Sequence, residues 1–202
     1  MGRDKATLLL HGRPLLAWVA AACREVTSRV LVVAAAGQEL DTLPEGARLV
    51  RDHVEGEGPI AGIIAGLTAI KADTGAEGSS TAGDAVLLVA CDQPFIRPAL
   101  LRLLLAHLDD HAVVVPMLDG RAQPLCAAIS RRALPLLRAA FEDGVRAASV
   151  LTDLPGAMLL PETEWRPADA DARSFFGVNT PEAAARAEGF AQALDPPPDG
   201  GA

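Results

Sequence analysis

The chain has 202 residues, half of them apolar, with aromatics at 3% and a formal charge of −8. That length suits one domain with a substantial core, and that apolar content excludes disorder throughout. The acidic balance excludes a general nucleic-acid surface but leaves a small phosphorylated substrate open, because local charge decides that case. In chain order, Met1 to Lys5 reads as the exit of a loop, and His11-Gly12-Arg13-Pro14 as a turn. Leu15, Leu16, Trp18, Val19, Ala22 and Val26 recur at helical spacing and predict a helix to about Val26. A buried strand is expected over Arg29 to Ala36, a helical turn near Gln38 to Leu43, and a short strand over Ala47 to Arg51, ending at Asp52.

Pro59 opens the next expected helix, with Ile60, Ile63, Ile64, Leu67 and Ile70 as its apolar stripe. Gly58, Gly62 and Gly66 line a different stripe at four-residue spacing. Each glycine costs a helix roughly 1 kcal/mol against Ala, so something approaches that face closely: a sheet, or a ligand near Gly58. Ala72 to Asp84 reads as a flexible connection. Six apolar residues then run unbroken from Ala85 to Ala90, followed by Cys91, Asp92, Gln93 and Pro94. This is the pattern of a central strand buried on both faces, and it delivers Asp92 to the carboxyl end, where open α/β sheets bind their ligands.

A Leu-rich helix from Pro98 to Leu108, a strand from His111 to Pro116, a turn at Asp119-Gly120 and a strand from Gln123 to Ile129 follow. Next come a helix restarted at Pro135, a short helix over Val145 to Leu154 and a strand over Ala157 to Leu160. The last extended piece is Phe175 to Val178, and Thr180-Pro181 caps a final helix. Residues 195–202 read as a disordered tail after a single domain over 1–194. Strands alternating with helices predict a three-layer α/β/α fold on a mostly parallel sheet, of the Rossmann-like kind.

Cys23, Cys91 and Cys126 are far apart, so neither a disulfide framework nor a zinc site is expected, and a reducing cytoplasm fits. No apolar run approaches the ~20 residues of a membrane span. Only two lysines, Lys5 and Lys71, stand beside 16 arginines. An early lysine with two strand-end acids suits phosphoryl or nucleotidyl transfer: the cation offsets phosphate charge, and a carboxylate holds Mg²⁺ against phosphate oxygens.

Five blocks in order carry a resemblance. They are Met1-Gly2-Arg3-Asp4-Lys5-Ala6, Glu57-Gly58-Pro59-Ile60-Ala61-Gly62, Cys91-Asp92-Gln93-Pro94-Phe95, Gly120-Arg121-Ala122-Gln123-Pro124-Leu125 and Phe176-Gly177-Val178-Asn179-Thr180-Pro181. Together they resemble the molybdenum cofactor guanylyltransferases, which join GMP to molybdopterin and release pyrophosphate. The resemblance implies a nucleotide-diphospho-sugar-transferase-like fold. It implies that Lys5 contacts the phosphates of GTP, that Asp52 helps hold the nucleotide, and that Asp92 binds Mg²⁺ and the triphosphate. It places Gln123 and Asn179 on the molybdopterin side. Lys5 and Asp92 are thus the expected catalytic pair, with maturation proteins of molybdoenzymes as prospective protein partners. Gly177 stands where the family usually has Asn. A cytidylyltransferase on the same scaffold, or a non-catalytic binding chain, are the other readings; the Gly-Arg-x-Gln-Pro-Leu block favours the guanylyl branch. The family's signature begins with a strand and a glycine loop ahead of the Met-Gly. The chain is therefore expected to be incomplete at its N-terminus, to lack a neighbour for the Ala85 to Ala90 run, and to fold poorly or bind GTP weakly alone.

Overall fold

A computed structural model describes residues 8–40, 42–52, 58–73 and 85–194. Lys5, the Glu55 to Glu57 segment, most of the expected connection before Ala85 and the expected tail lie outside those residues.

The strand and helix periodicities resolve into elements close to the expected ones. A hairpin of β1 (Leu9–Leu10) and β2 (Arg13–Pro14) leads into α1 (Leu15–Arg24). His11 and Gly12 both have positive φ, 50° and 72°, the backbone of a tight two-residue hairpin turn. Then come β3 (Val30–Ala35), β4 (Ala47–Asp52), α2 (Gly58–Asp73) and β5 (Ala85–Val89). The second half runs α3 (Pro98–Ala106), β6 (Val113–Leu118), β7 (Arg121–Ala122), β8 (Cys126–Ser130) and α4 (Leu134–Glu142). It ends with β9 (Ala157–Leu160), α5 (Glu162–Trp165) and α6 (Pro181–Leu194).

Four expectations change. Residues 38–40 form no helical turn. Instead Gln38 closes the end of β3, its amide donating to the Ala35 carbonyl and its side-chain oxygen accepting from the Ala35 N–H. Val145 to Leu154 narrows to a 3₁₀ turn over Ala148–Thr152. The stretch from Phe175 to Val178 is no strand: a 3₁₀ turn covers Arg173–Phe175, and the Val178 N–H donates to the Asp92 carbonyl rather than to a ladder. The short helix α5 was not foreseen; four residues carry too little periodicity to reveal it, yet Trp165 on it is fully buried.

The fold is the expected α/β/α arrangement. Alternation along the strands sorts side chains to two faces. Val113, Val115, Ala127 and Ile129 pack with Ile60, Ile63 and Leu67 of α2 and Leu134 and Leu137 of α4. Val114, Cys126 and Ala128 pack the other way, with Val19 of α1 and Leu100, Leu101 and Leu104 of α3. Strand β8 lies between β5 and β6 and is antiparallel to both, so β5 and β6 run the same way, and β9 pairs parallel with β6. Strands β3 and β4 form a separate parallel pair. Of the ladders between the longer described strands, two are parallel, β3 with β4 and β6 with β9, and two are antiparallel, because β8 runs against both its neighbours.

Strand β5 departs from the expected burial on both faces: Val86 to Val89 are only half-buried. The physical reason is a cleft of about 700 Å³ between β5 and β3, walled by α1 on one side and α2 on the other. Among the described residues, β3 pairs only with β4 and β5 only with β8.

The glycine stripe of α2 is a packing device. A Cβ on Gly66 would lie 3.3 Å from Val33 Cγ2, and one on Gly62 would lie 3.5 Å from Val33 Cγ1. Gly58, at φ +74°, packs against the chain itself: a Cβ there would fall 2.6 Å from the Arg146 carbonyl oxygen. Gly58→Ala is expected to destabilise the fold by about 1–2 kcal/mol from backbone strain alone, and more through the clash. Chemical denaturation of the variant measures it, and an unchanged midpoint would contradict that packing.

Candidate active site

Asp92 follows the end of β5 in a tight turn, closed by the Gln93 N–H donating to the Ala90 carbonyl (3.3 Å). Pro94 cannot extend the ladder. The loop is held from two directions. The Val178 N–H donates to the Asp92 carbonyl (2.8 Å), and the Ala90 N–H donates to the Leu125 carbonyl (2.9 Å). Through these bonds the structure brings three expected site segments to one end of the sheet: Asp92, the Gln123 to Leu125 strand entry, and the Val178-Asn179 turn.

Gln123 is half-buried, its backbone N–H donating to the Pro116 carbonyl and its side-chain amide to the Arg121 carbonyl. Asn179 is exposed, and its Nδ2 lies 2.7 Å from where a Cβ on Gly177 would stand. The Asn179 amide thus fills the space beside Gly177, the position at which the resemblance has Asn. Thr180 Oγ1 accepts from the Ala183 N–H (3.1 Å) and caps α6, as its place before Pro181 implied.

Asp52 ends β4, opposite Ala35 at the end of β3. Its carboxylate lies 3.9 Å from where a Cβ on Gly62 would stand, so it sits against the first turns of α2. Asp92 lines the cleft beside β5. Lys5 lies outside the described residues.

Two features escaped the sequence. Gln93, the residue after Asp92, is 8% exposed, and its Oε1 is buried without a hydrogen-bond partner. An orphaned acceptor costs stability unless a donor or a cation meets it. The second is a charged cluster behind the Asp92 loop. Asp169 is 1% exposed. Its Oδ1 pairs with Arg97 Nε at 2.7 Å, and its Oδ2 accepts from the Ser174 N–H at 2.9 Å. Ser174 Oγ accepts from the Arg97 N–H at 3.0 Å, and Arg97 also pairs with Asp171 at 2.9 Å. Burial works against the Arg97 charge, but Asp171 and Asp169 outweigh it and raise its pKa. Burial likewise opposes the Asp171 carboxylate, and Arg97 and Arg173 overcome it and hold the carboxyl below its usual range. These partners are some 74 residues apart in sequence, so no local pattern announces them.

Among the described residues no three His, Cys, Asp or Glu side chains form a metal cluster. No helix among them is long and apolar enough to cross a membrane. The cysteines are free, and burial pushes the Cys23 thiol up to about 11, which leaves it protonated and unreactive.

Layers, strand direction and strand-end acids together define an α/β/α chain with carboxylates at the ends of its strands, and the comparisons make it a nucleotidyltransferase. Residues 1–157 match the MobA-like NTP transferase domain, and the chain belongs to that family. A molybdenum cofactor guanylyltransferase of Desulfosudis oleivorans is 29% identical over 188 residues, 93% of this chain and 87% of the relative. A probable molybdenum cofactor guanylyltransferase of Chloroflexus aggregans is 35% identical over 90% of this chain and 84% of its own. Among solved structures, molybdopterin-guanine dinucleotide biosynthesis protein A from Archaeoglobus fulgidus shares the fold, with a TM-score of 0.72 and 24% identity over 95% of this chain and 92% of that one. So does 2-C-methyl-D-erythritol 4-phosphate cytidylyltransferase from Thermus thermophilus, with a TM-score of 0.65 and 23% identity over 95% of each chain.

Proposed function

We propose that this nucleotidyltransferase moves GMP from GTP to molybdopterin and releases pyrophosphate. The observation that carries the reading is the gathering of Asp92, Gln123 and Asn179 at one end of the sheet, in a chain whose relatives bear the guanylyltransferase name. In this reading Asp92 is the metal ligand and catalytic carboxylate, Lys5 the phosphate cation, Asp52 a nucleotide contact, and Gln123 and Asn179 the pterin contacts. Mg²⁺ would be the metal, held by Asp92, and would supply positive charge that offsets the phosphates. It uses one or two protein carboxylates and completes its shell with phosphate and water, so Asp92 fits it without a prebuilt cluster. No protein nucleophile is needed: a substrate phosphate oxygen attacks the α-phosphorus in line, and positioning with charge neutralisation lowers the barrier. The setting is the cytoplasm, and molybdoenzyme-maturation proteins are the partners that would take the product.

A cytidylyl reading draws on the fold shared with the Thermus thermophilus cytidylyltransferase. Pyrophosphate release is measured with molybdopterin and either GTP or CTP, with and without Mg²⁺. GTP is expected to be used at least about a hundredfold better, well within the discrimination of about 10⁴ or more that a site hydrogen-bonding its substrate can reach. Preference for CTP would overturn the guanylyl reading, and release without added divalent metal would overturn the Mg²⁺ assignment.

A further inference from the structure

The turn that carries Asn179 is fixed on both sides of that residue, and the freedom left to it is in its side chain. Before it, the Val178 N–H donates to the Asp92 carbonyl (2.8 Å), and the Val178 side chain is buried with Phe95, Ala187 and Ala191. Phe176 turns into the same cluster, its ring 5.3 Å from that of Phe190 and 6.1 Å from that of Phe95, with the Arg186 guanidinium over it at 5.0 Å. After Asn179, Thr180 caps α6 by accepting from the Ala183 N–H (3.1 Å). The backbone is extended at Phe176, with φ −76° and ψ 106°. Side chains alternate along extended backbone, so with Phe176 and Val178 turned inward, positions 177 and 179 share the outer face. Gly177 is half-buried there and Asn179 is exposed.

On that face the Asn179 carboxamide folds back over Gly177. Its Nδ2 lies 2.7 Å from where a Cβ on Gly177 would stand, and its Cγ 3.8 Å. Non-bonded heavy atoms settle at about 3.5–4.0 Å, so a Cβ and this amide nitrogen cannot share the space. The backbone at Gly177 is outside the left-handed region, so the position needs the missing Cβ and not a special angle. The atom in the way is the tip of a side chain with two rotatable bonds. An added methyl would therefore swing the amide into another rotamer and leave the chain unstrained. We propose that Gly177 is a positioning residue for the acceptor substrate: its bare Cα seats the Asn179 carboxamide in the orientation that meets the pterin ring, the role that the guanylyltransferase reading gives to Asn179 and on which this one rests. A carboxamide holds a donor and an acceptor in one plane, and the rim of a pterin presents donors and acceptors in one plane as well. A carboxamide already seated avoids the ordering cost that a freely turning side chain meets on binding. Gly177 acts through Asn179 alone, so it sets the affinity for the acceptor and leaves that for the nucleotide untouched.

Three variants of the full chain test it: Gly177→Ala, Asn179→Ala and the two together. In the free protein, the side-chain NH₂ resonances of Asn179 are assigned by their loss in Asn179→Ala. They are expected to shift in Gly177→Ala, while the melting temperature stays within about 2 °C of wild type, the scale of a surface substitution. In pyrophosphate release with GTP and Mg²⁺, Gly177→Ala is expected to raise KM for molybdopterin about fivefold, with kcat and KM for GTP moving far less. Asn179→Ala is expected to raise it about tenfold, and the double variant no further, because the first change acts only through the side chain that the second removes. Unshifted NH₂ resonances in Gly177→Ala would overturn the seating. So would a drop in melting temperature of more than about 5 °C, because the backbone and not the amide would then be giving way. A defect in Asn179→Ala that Gly177→Ala fails to reproduce, or a double variant worse than Asn179→Ala, would overturn the positioning role while the pterin contact stands. Wild-type KM for molybdopterin in Asn179→Ala would overturn the pterin contact, and the positioning role with it.

Discussion

Asp92→Asn is expected to reduce Mg²⁺-dependent pyrophosphate release by about two to three orders of magnitude, the loss typical of removing one element of charge stabilisation. The substitution keeps side-chain volume and one oxygen but takes away the negative charge that a hard cation needs. The fold should be nearly untouched, because the turn is held through the Asp92 backbone: its carbonyl accepts from the Val178 N–H whatever the side chain. Turnover is measured beside a thermal melt. Wild-type turnover in a folded Asp92→Asn enzyme would remove the carboxylate from the metal site.

The second large effect is expected at Asp169, which touches no substrate in the proposed chemistry. Asp169→Ala leaves the Ser174 N–H buried without its acceptor and takes from Arg97 one of its two carboxylates. A loss of about 2–3 kcal/mol is expected, below the usual figure for breaking a fully buried pair because the Arg97 side chain is 43% exposed. The Arg97 backbone is tied to Ser174, and Phe95 packs with Val178, Ala187 and Ala191. Loosening that brace lets the loop carrying Asp92 drift. Turnover should then fall more than apparent GTP affinity, and Asp169→Asn, which still offers an acceptor to Ser174, should recover part of both stability and rate. Equal stability of Asp169→Ala and wild type, by denaturant titration, would contradict the brace.

What the sequence disclosed follows from range. Periodicity placed β5, α3 and β9 within a residue or two, and the Thr180 cap placed the start of α6, because apolar spacing and caps act within one element. The strand-end acids were legible for the same reason: a charge that closes an apolar run marks the run's end. Strand pairing was not legible in that way. The Asp119-Gly120 turn marks Gln123 to Ile129 as a returning strand, which its antiparallel run against β6 bears out, but nothing in Cys126 to Ser130 says that it also runs against β5, since a reversed strand inside a sheet carries the same apolar pattern as its neighbours. The Phe175 to Val178 stretch has strand-like composition but forms no strand, because aromatic and β-branched residues favour strands only where an edge awaits them. The Arg97–Asp169 pair and the orphaned Gln93 oxygen were invisible, because burial of a polar group depends on segments that meet only in three dimensions. The glycines of α2 showed that something comes close, and only the coordinates identified it as Val33 and Arg146.

The reversed strand has a mechanical corollary. Asp92 is reached at the exit of β5, while Gln123 stands just before the entrance of β8, and the two strands are locked in register from Val89 opposite Cys126 to Ala85 opposite Ser130. The residues between Gln123 and Cys126 therefore behave as the short arm of a lever whose long arm is the core. Adding or deleting a single residue there would not be absorbed as it is in an ordinary surface loop. It would slide β8 by one position against β5 and β6 together, turning Ala127 and Ile129 away from α2 and Cys126 and Ala128 away from α3. Length in this linker is thus gauged by the core.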